Sequence, residues 1–213
     1  MAGSKYISVP VIKRLPRYHR FLGMLKDKGI ERISSSELSK QMGLTASQIR
    51  QDLNCFGGFG QQGYGYNVSV LYDEIGSILG VNKKKKAILI GAGNLGLAIA
   101  RHMSFEKWGF ELIGVFDEKN ELHGKEIRNL KVQSTDSLEA FCEEYSPALA
   151  ILCVPNTQEV AEMIEKLISS GIRAFWNFTH IDIKAKHPDI FVENVHLSDS
   201  LVTLCYQLNT EEE

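Results

Sequence analysis

The pattern of apolar positions changes character near residue 86. Before it, apolar residues recur every three or four positions; after it, unbroken apolar runs of strand length alternate with helical stretches. Leu15, Tyr18, Leu22 and Leu25 mark one face of a helix that opens at Pro10 or at Pro16 and stops near Lys28, before Gly29. Pro16 suits a first turn and would kink anything longer. Ser34 and Glu37 have the spacing of a capping box, and the helix they open turns Leu38 and Met42 inward and ends at Gly43. Thr45 and Gln48 form a second box. Leu38–Gly43, a tight turn and Ala46 to about Cys55 therefore predict a helix-turn-helix, with Ile49 and Leu53 facing the core and Ser47, Gln48, Arg50 and Gln51 facing out. Five of the 18 glycines fall between residues 57 and 65, interleaved with aromatics at 56, 59, 64 and 66. That stretch predicts a short hairpin, a wing, carrying Gln61, Gln62 and Tyr64. A helix over Val68–Leu79 follows, with Leu71, Ile75, Ile78 and Leu79 as its stripe, and residues 80–86 form a link.

The second part reads as alternating strands and helices of a parallel sheet covered on both faces. Strands are expected at Ala87–Ile90, Leu112–Phe116, Leu130–Val132, Ala148–Val154, Ala174–Phe178 and Ile190–Val195. Helices are expected after Gly91, over Ser137–Tyr145 and from Thr157 to Ser170. Ser198–Leu208 is amphipathic, with Leu197, Leu201, Leu204, Cys205 and Leu208 at helical spacing; it either packs on its own domain or docks into a partner subunit. The expected organisation is a winged helix-turn-helix domain over residues 1–82, a Rossmann-like α/β domain over 83–196, and a dimerisation helix and tail over 197–213.

Charge sharpens this division. The net charge of −2 hides a balance of +8 over residues 1–86 and −10 over the remainder. A basic first part suggests nucleic acid at that end. Arg can pair with guanine, Gln with adenine, and Ser near a helix N-terminus can reach phosphate. No apolar run is long enough for a bilayer, and no start signal for secretion is visible. The four cysteines form no C-x-x-C pair, which argues for reduced thiols in the cytoplasm. No histidine pair has metal-ligand spacing, so no metal is expected.

The candidate chemistry lies at Gly91-Ala92-Gly93-Asn94-Leu95-Gly96, a G-x-G-x-x-G between an apolar strand and a helix. The first glycine permits the turn, the second admits a pyrophosphate, and the third lets the helix approach the strand. Asp117 ends the next strand, 21 residues beyond Gly96. An acid there accepts hydrogen bonds from ribose hydroxyls and repels a 2′-phosphate, favouring NAD(H) over NADP(H). Ligands in such sheets meet the C-terminal strand ends, so Val154, Pro155, Asn156, Asn177 and Phe178 join the expected lining. No Tyr-x-x-x-Lys and no room for a substrate domain are present. The dinucleotide reads as a signal rather than a reagent, and the protein as not an enzyme.

These residues resemble the Rex family of bacterial redox-sensing transcriptional repressors over nearly the whole chain. The resemblance rests on Arg14–Tyr18, Gln48–Leu53, Phe56–Gly60, Gly63–Tyr66, Gly91–Gly96, Asn177-Phe178 and Val192–Val195. It implies a homodimer that binds palindromic operator DNA when NADH is scarce and releases it when NADH binds, with NAD+ competing. It also implies a tail helix exchanged between subunits near the partner's cofactor, and Arg14 among the residues on DNA; Leu197 and Phe178 are expected to form an apolar wall that favours the neutral, reduced nicotinamide. Two departures are visible. Where many members have Arg-Lys-Asp, this chain has Arg50-Gln51-Asp52. Where some couple their domains through an Arg, a Tyr and an Asp, it has Arg20, His102 and His196. Two alternatives stand beside this reading: a small NAD-dependent oxidoreductase with a helical appendage, and a repressor whose ligand is a coenzyme A derivative.

Overall fold

The computed structural model describes residues 7–57, 60–61 and 64–211. Two compact units divide it, Met1–Asn82 and Lys83–Glu213.

The first unit contains α1 (Val9–Asp27), β1 (Arg32–Ile33), α2 (Ser35–Met42), α3 (Ala46–Asn54), β2 (Gly60–Gln61), β3 (Gly65–Asn67) and α4 (Val68–Leu79). Here α1 opens with Pro10 in its first turn, the earlier of the two expected starts. It runs unbroken from Val9 through Pro16, with the ring inside the helix. Pro16 takes the N–H that Ile12 would have bonded, but both residues are exposed, so water can satisfy the freed carbonyl. The Ser34 capping box forms in full: Glu37 N–H donates to Ser34 Oγ, and the Glu37 carboxylate accepts from Ser34 N–H. Only half of the second box forms. Thr45 Oγ1 accepts from Gln48 N–H, while the Gln48 amide turns to Asp52 instead.

Leu15, Tyr18, Leu22, Leu38, Met42, Ile49, Leu53, Leu71 and Ile75, from all four helices, form one core. Phe56 packs against its edge and Tyr66 is buried in it, so two of the wing's aromatics pin the hairpin as their spacing suggests. Phe59 lies outside the described residues. A strand the sequence did not announce, β1, completes an antiparallel sheet in the order β1-β3-β2. Gly65 is required there: its φ is +68°, and a Cβ would press on the Ile33 carbonyl oxygen.

The second unit holds β4 (Lys85–Ile90), α5 (Asn94–His102), β5 (Phe110–Asp117), β6 (Glu126–Ile127), β7 (Leu130–Ser134), α6 (Leu138–Tyr145), β8 (Leu149–Leu152), α7 (Gln158–Ser169), β9 (Ala174–Asn177), α8 (Ile183–Lys186), β10 (Phe191–Asn194) and α9 (Leu197–Glu211). Its strands lie in the order β10-β9-β8-β4-β5-β7-β6, parallel except for the β6–β7 hairpin. That hairpin turns on Arg128 and Asn129, both at positive φ. The pleat of β4 divides two cores. Ile88 and Ile90 pack toward α6, α7 and α8, whereas Ala87 and Leu89 pack toward α5. This is the Rossmann-like α/β architecture, with the winged helix-turn-helix ahead of it. Among the described residues, no helix is long and apolar enough to cross a membrane.

Candidate functional site

The crossover from β4 to α5 builds the nucleotide loop. Gly91 adopts φ +98°, and its N–H donates to the Phe116 carbonyl. A Cβ on Gly91 would strike the Cys153 carbonyl, and one on Gly96 would strike the Gly91 carbonyl, so backbone is pressed on backbone at both positions. Gly93 differs. Its φ of −71° suits any residue, and a Cβ there meets nothing within 4 Å. The protein leaves that space free, at the position where a pyrophosphate needs close backbone approach. No side chain caps α5, so the N–H groups of its first turn at Asn94, Leu95 and Gly96 are left for an anion.

Asp117 ends β5 and is 7 % exposed. One carboxylate oxygen accepts the Ala92 N–H at 2.6 Å and the other the Lys119 N–H at 2.9 Å. The acid therefore braces the glycine loop. Around it opens a cleft of about 650 Å3 at the C-terminal strand ends, lined by Gly91, Gly93, Asp117, Cys153, Val154 and Pro155. It continues between Leu138 of α6 and Val160 and Met163 of α7. The size lies in the usual range for small-molecule and cofactor sites. Burial pushes the Cys153 thiol up to about 12, which keeps this wall neutral. The lining from α6, α7 and Cys153 was missed in the sequence, because it depends on which helices flank the cleft.

Asn177 is a correction. It is fully buried, and both ends of its amide are engaged: Nδ2 donates to the Ile181 carbonyl and Asn194 Oδ1, and Oδ1 accepts from Thr179 N–H and Oγ1. It ties β9 to β10 and offers no atom to a ligand. Phe178 is half-buried against Trp176, with ring centroids 4.8 Å apart. Leu197 opens α9 and is exposed. His196 sits beside His180, ring centroids 5.0 Å apart, and 3.6 Å from Asp199. His102 is exposed in the last turn of α5, and Arg20 is exposed on α1. Among the described residues, no group of three or more potential ligands could hold a metal.

On the first unit, Ser47, Arg50 and Gln51 form the exposed face of α3. Arg50 also donates to Ser35 Oγ at 3.0 Å. Tyr64 stands 69 % exposed at the wing, with the Arg32 guanidinium 5.8 Å from its ring. Gln62 lies outside the described residues, and Gln61 enters only through the backbone pairing of β2. Arg14 and Gln48 are placed differently from the open face. Both donate to Asp52, which is 1 % exposed: Arg14 Nε and Nη2 at 2.7 and 2.8 Å, and Gln48 Nε2 at 2.9 Å. Tyr18 Oη adds a fourth donor at 2.9 Å. Burial by itself would raise the Asp52 pKa, but these donors hold it below the ordinary carboxylate value. Sequence reasoning passed over Asp52, although an acid between Ile49 and Leu53 on the inward face was a sign of a buried partner.

A winged helix-turn-helix joined to a nucleotide-binding Rossmann-like unit is the build of a ligand-controlled transcription regulator. Residues 6–54 match a family described as the N-terminus of a putative DNA-binding protein, and residues 82–181 match a CoA-binding domain. The chain is 51% identical over 209 residues to a redox-sensing transcriptional repressor Rex of Clostridium perfringens, covering 98% of each. It is 53% identical over 214 residues to the Rex of Caldanaerobacter subterraneus, covering 100% of this chain and 94% of that one. A crystal structure of RSP in complex with β-NAD+ and operator DNA superposes with a TM-score of 0.89 at 52% identity, covering 98% and 95% of the two chains. RSP in complex with β-NADH gives 0.88 at 49% identity, covering 98% and 97%. The chain belongs to the Rex family of redox-sensing transcriptional repressors. These relatives are transcriptional repressors.

Proposed function

We propose that this protein represses transcription by binding palindromic operator DNA as a homodimer and leaves the DNA when NADH occupies its cleft. The observation that carries the reading is the pairing of Gly93, whose missing Cβ serves no protein contact, with Asp117 at the ribose position. The relatives' complexes with β-NAD+, β-NADH and operator DNA support it. Matching a CoA-binding domain is compatible, since both ligands share an adenosine diphosphate half; Asp117 suits a ribose whose hydroxyls are free.

Redox discrimination follows from charge. Reduced nicotinamide is neutral and oxidised nicotinamide is a cation. Val154, Pro155 and the protonated Cys153 thiol offer an apolar wall, which penalises burial of the cation. NADH can release DNA only as far as its affinity differs between the DNA-competent and DNA-free arrangements. Two recognition helices must match two half-sites at fixed spacing, so a modest subunit rotation suffices. Arg20, His102 and His196 are the proposed coupling positions. A repressor of chromosomal genes acts in the cytoplasm.

The experiment is anisotropy of a labelled operator titrated separately with NADH and NAD+. Release at far lower NADH than NAD+ is expected; equal responses overturn redox sensing. Asp117→Ala will weaken NADH binding about 100-fold, because the ribose partner and the Ala92 brace go together. Calorimetric titration showing unchanged affinity would remove Asp117 from the site.

Dimerisation through α9 is supported by its exposure. Leu201, Val202, Leu204, Tyr206 and Leu208 are all more than half exposed, and an isolated 15-residue helix is marginal in water. A chain ending at residue 196 will sediment as a monomer and lose tight binding to a palindrome; a stable dimer would place the interface elsewhere.

A further inference from the structure

Asp52 does more than fasten α3 to α1. Its carboxylate accepts four hydrogen bonds, one of them from Gln48 Nε2 four residues earlier on the same helix. An ionised carboxylate can only accept, so it fixes which way round the Gln48 amide sits. Turning the amide over would set Oε1 against Asp52 Oδ1, acceptor against acceptor. Gln48 lies in the first turn of α3, is half-buried, and adjoins the exposed Ser47 and Gln51. With one Nε2 hydrogen held by Asp52, it retains one donor and one acceptor for a base edge.

We propose that Asp52 is a positioning residue that makes Gln48 select adenine over guanine at one position in each operator half-site. The proposal rests on the reading of α3 as the helix that enters the major groove. Adenine presents an acceptor at N7 and a donor at N6, which match the remaining Nε2 hydrogen and Oε1. Guanine presents acceptors at N7 and O6, so Oε1 would face an oxygen. A free glutamine could swing to suit other partners; the hydrogen bond to Asp52 removes that freedom before DNA arrives.

The test starts from palindromic duplexes selected out of a random library by the full-length protein. Each half-site position is then varied through all four bases, and binding is followed by anisotropy. One position should favour adenine over guanine about tenfold per half-site, the scale of one bidentate base contact. Purine, which lacks the N6 amino group, and 7-deazaadenine, which lacks N7, should each lose most of that preference. Gln48→Met keeps the Arg14–Asp52–Tyr18 bonds and removes the amide; it should bring the adenine-to-guanine ratio to within about twofold while binding persists. Asp52→Asn can donate to Oε1 and let the amide turn, so guanine should gain relative to adenine.

A ratio unmoved by Gln48→Met overturns the base contact. A ratio lost in Gln48→Met but unmoved in folded Asp52→Asn overturns the orienting role. If Asp52→Asn does not fold, the two base analogues decide: a preference that survives loss of either N6 or N7 overturns the fixed donor–acceptor pairing. Selection of no duplex by the wild-type chain would instead remove the DNA reading beneath the proposal.

Discussion

Gly96→Ala will abolish measurable NADH binding, while Gly93→Ala will weaken it and leave the fold intact. The two glycines lie three residues apart in one motif, but they answer to different neighbours. At Gly96 an added Cβ meets the Gly91 carbonyl oxygen, which belongs to the loop itself, and Gly91 is tied in place by its N–H donating to the Phe116 carbonyl. Backbone must shift there, and the loop cannot keep both its turn and the α5 contact. A loss of more than about 100-fold in affinity, with about 2–3 kcal/mol of stability, is expected from overpacking at this site. At Gly93 the added Cβ meets no protein atom and the backbone dihedrals are ordinary, so stability should change by less than about 0.5 kcal/mol. The methyl instead occupies space that a pyrophosphate needs. Calorimetry for affinity and urea unfolding for stability separate the two. Equal stability loss in both variants would mean that Gly93 serves the fold, and the strongest sign of a ligand at this loop would vanish.

Asp52→Ala will destabilise the first unit by about 3 kcal/mol near neutral pH, the low end for breaking a buried ion pair. Tyr18 Oη, fully buried, loses its acceptor, and Arg14, with its side chain 26% exposed, loses its carboxylate but keeps some access to water. The pH dependence has a definite sign. Because the folded state holds the Asp52 pKa below its ordinary value of 3.8, the ionised form is what the fold favours. Its contribution is complete above that ordinary value and fades as pH falls through the lower folded value. The gap in urea midpoint between wild type and Asp52→Ala should therefore stay constant from pH 7 to about 5 and narrow below about 4. A gap that widens on acidification would mean that Asp52 is protonated in the native state. The same variant should bind NADH normally, since the acid and the cleft lie in separate units.

Local signals carried most of the fold into the sequence. The Ser34 box, Gly43 at a left-handed φ, the Val68–Leu79 helix with Leu71 and Ile75 inward and the apolar β8 run each sit where short-range chemistry puts them, whereas Ile78, expected on that inward stripe, is exposed. What escaped depends on distant partners. Strand β1 is two residues long and exists because β3 lies beside it; β6 exists because Arg128 and Asn129 turn the chain back onto β7. The choice between Pro10 and Pro16 as the start of α1 stayed open in the sequence because it turns on which face the Pro16 ring occupies: exposed, it lets water offset the missing N–H. In the site, glycine spacing and Asp117 were legible, because backbone geometry demands them. Asn177 was misassigned for a physical reason: a polar residue at a strand end can serve a ligand or a neighbouring strand, and only β10 decides. Gln48 and Arg14 were legible as polar and basic, but their shared attachment to Asp52 needs α1 and α3 in contact.

Cys153 at the end of β8 bears on what kind of oxidation the protein notices. Burial pushes its thiol up to about 12, so at neutral pH it is held as the thiol. Peroxides react with thiolates, so this sulfur stays inert toward them although it lines the cleft. At this wall of the cleft a redox signal therefore has to arrive as a bound ligand rather than as a modified sulfur.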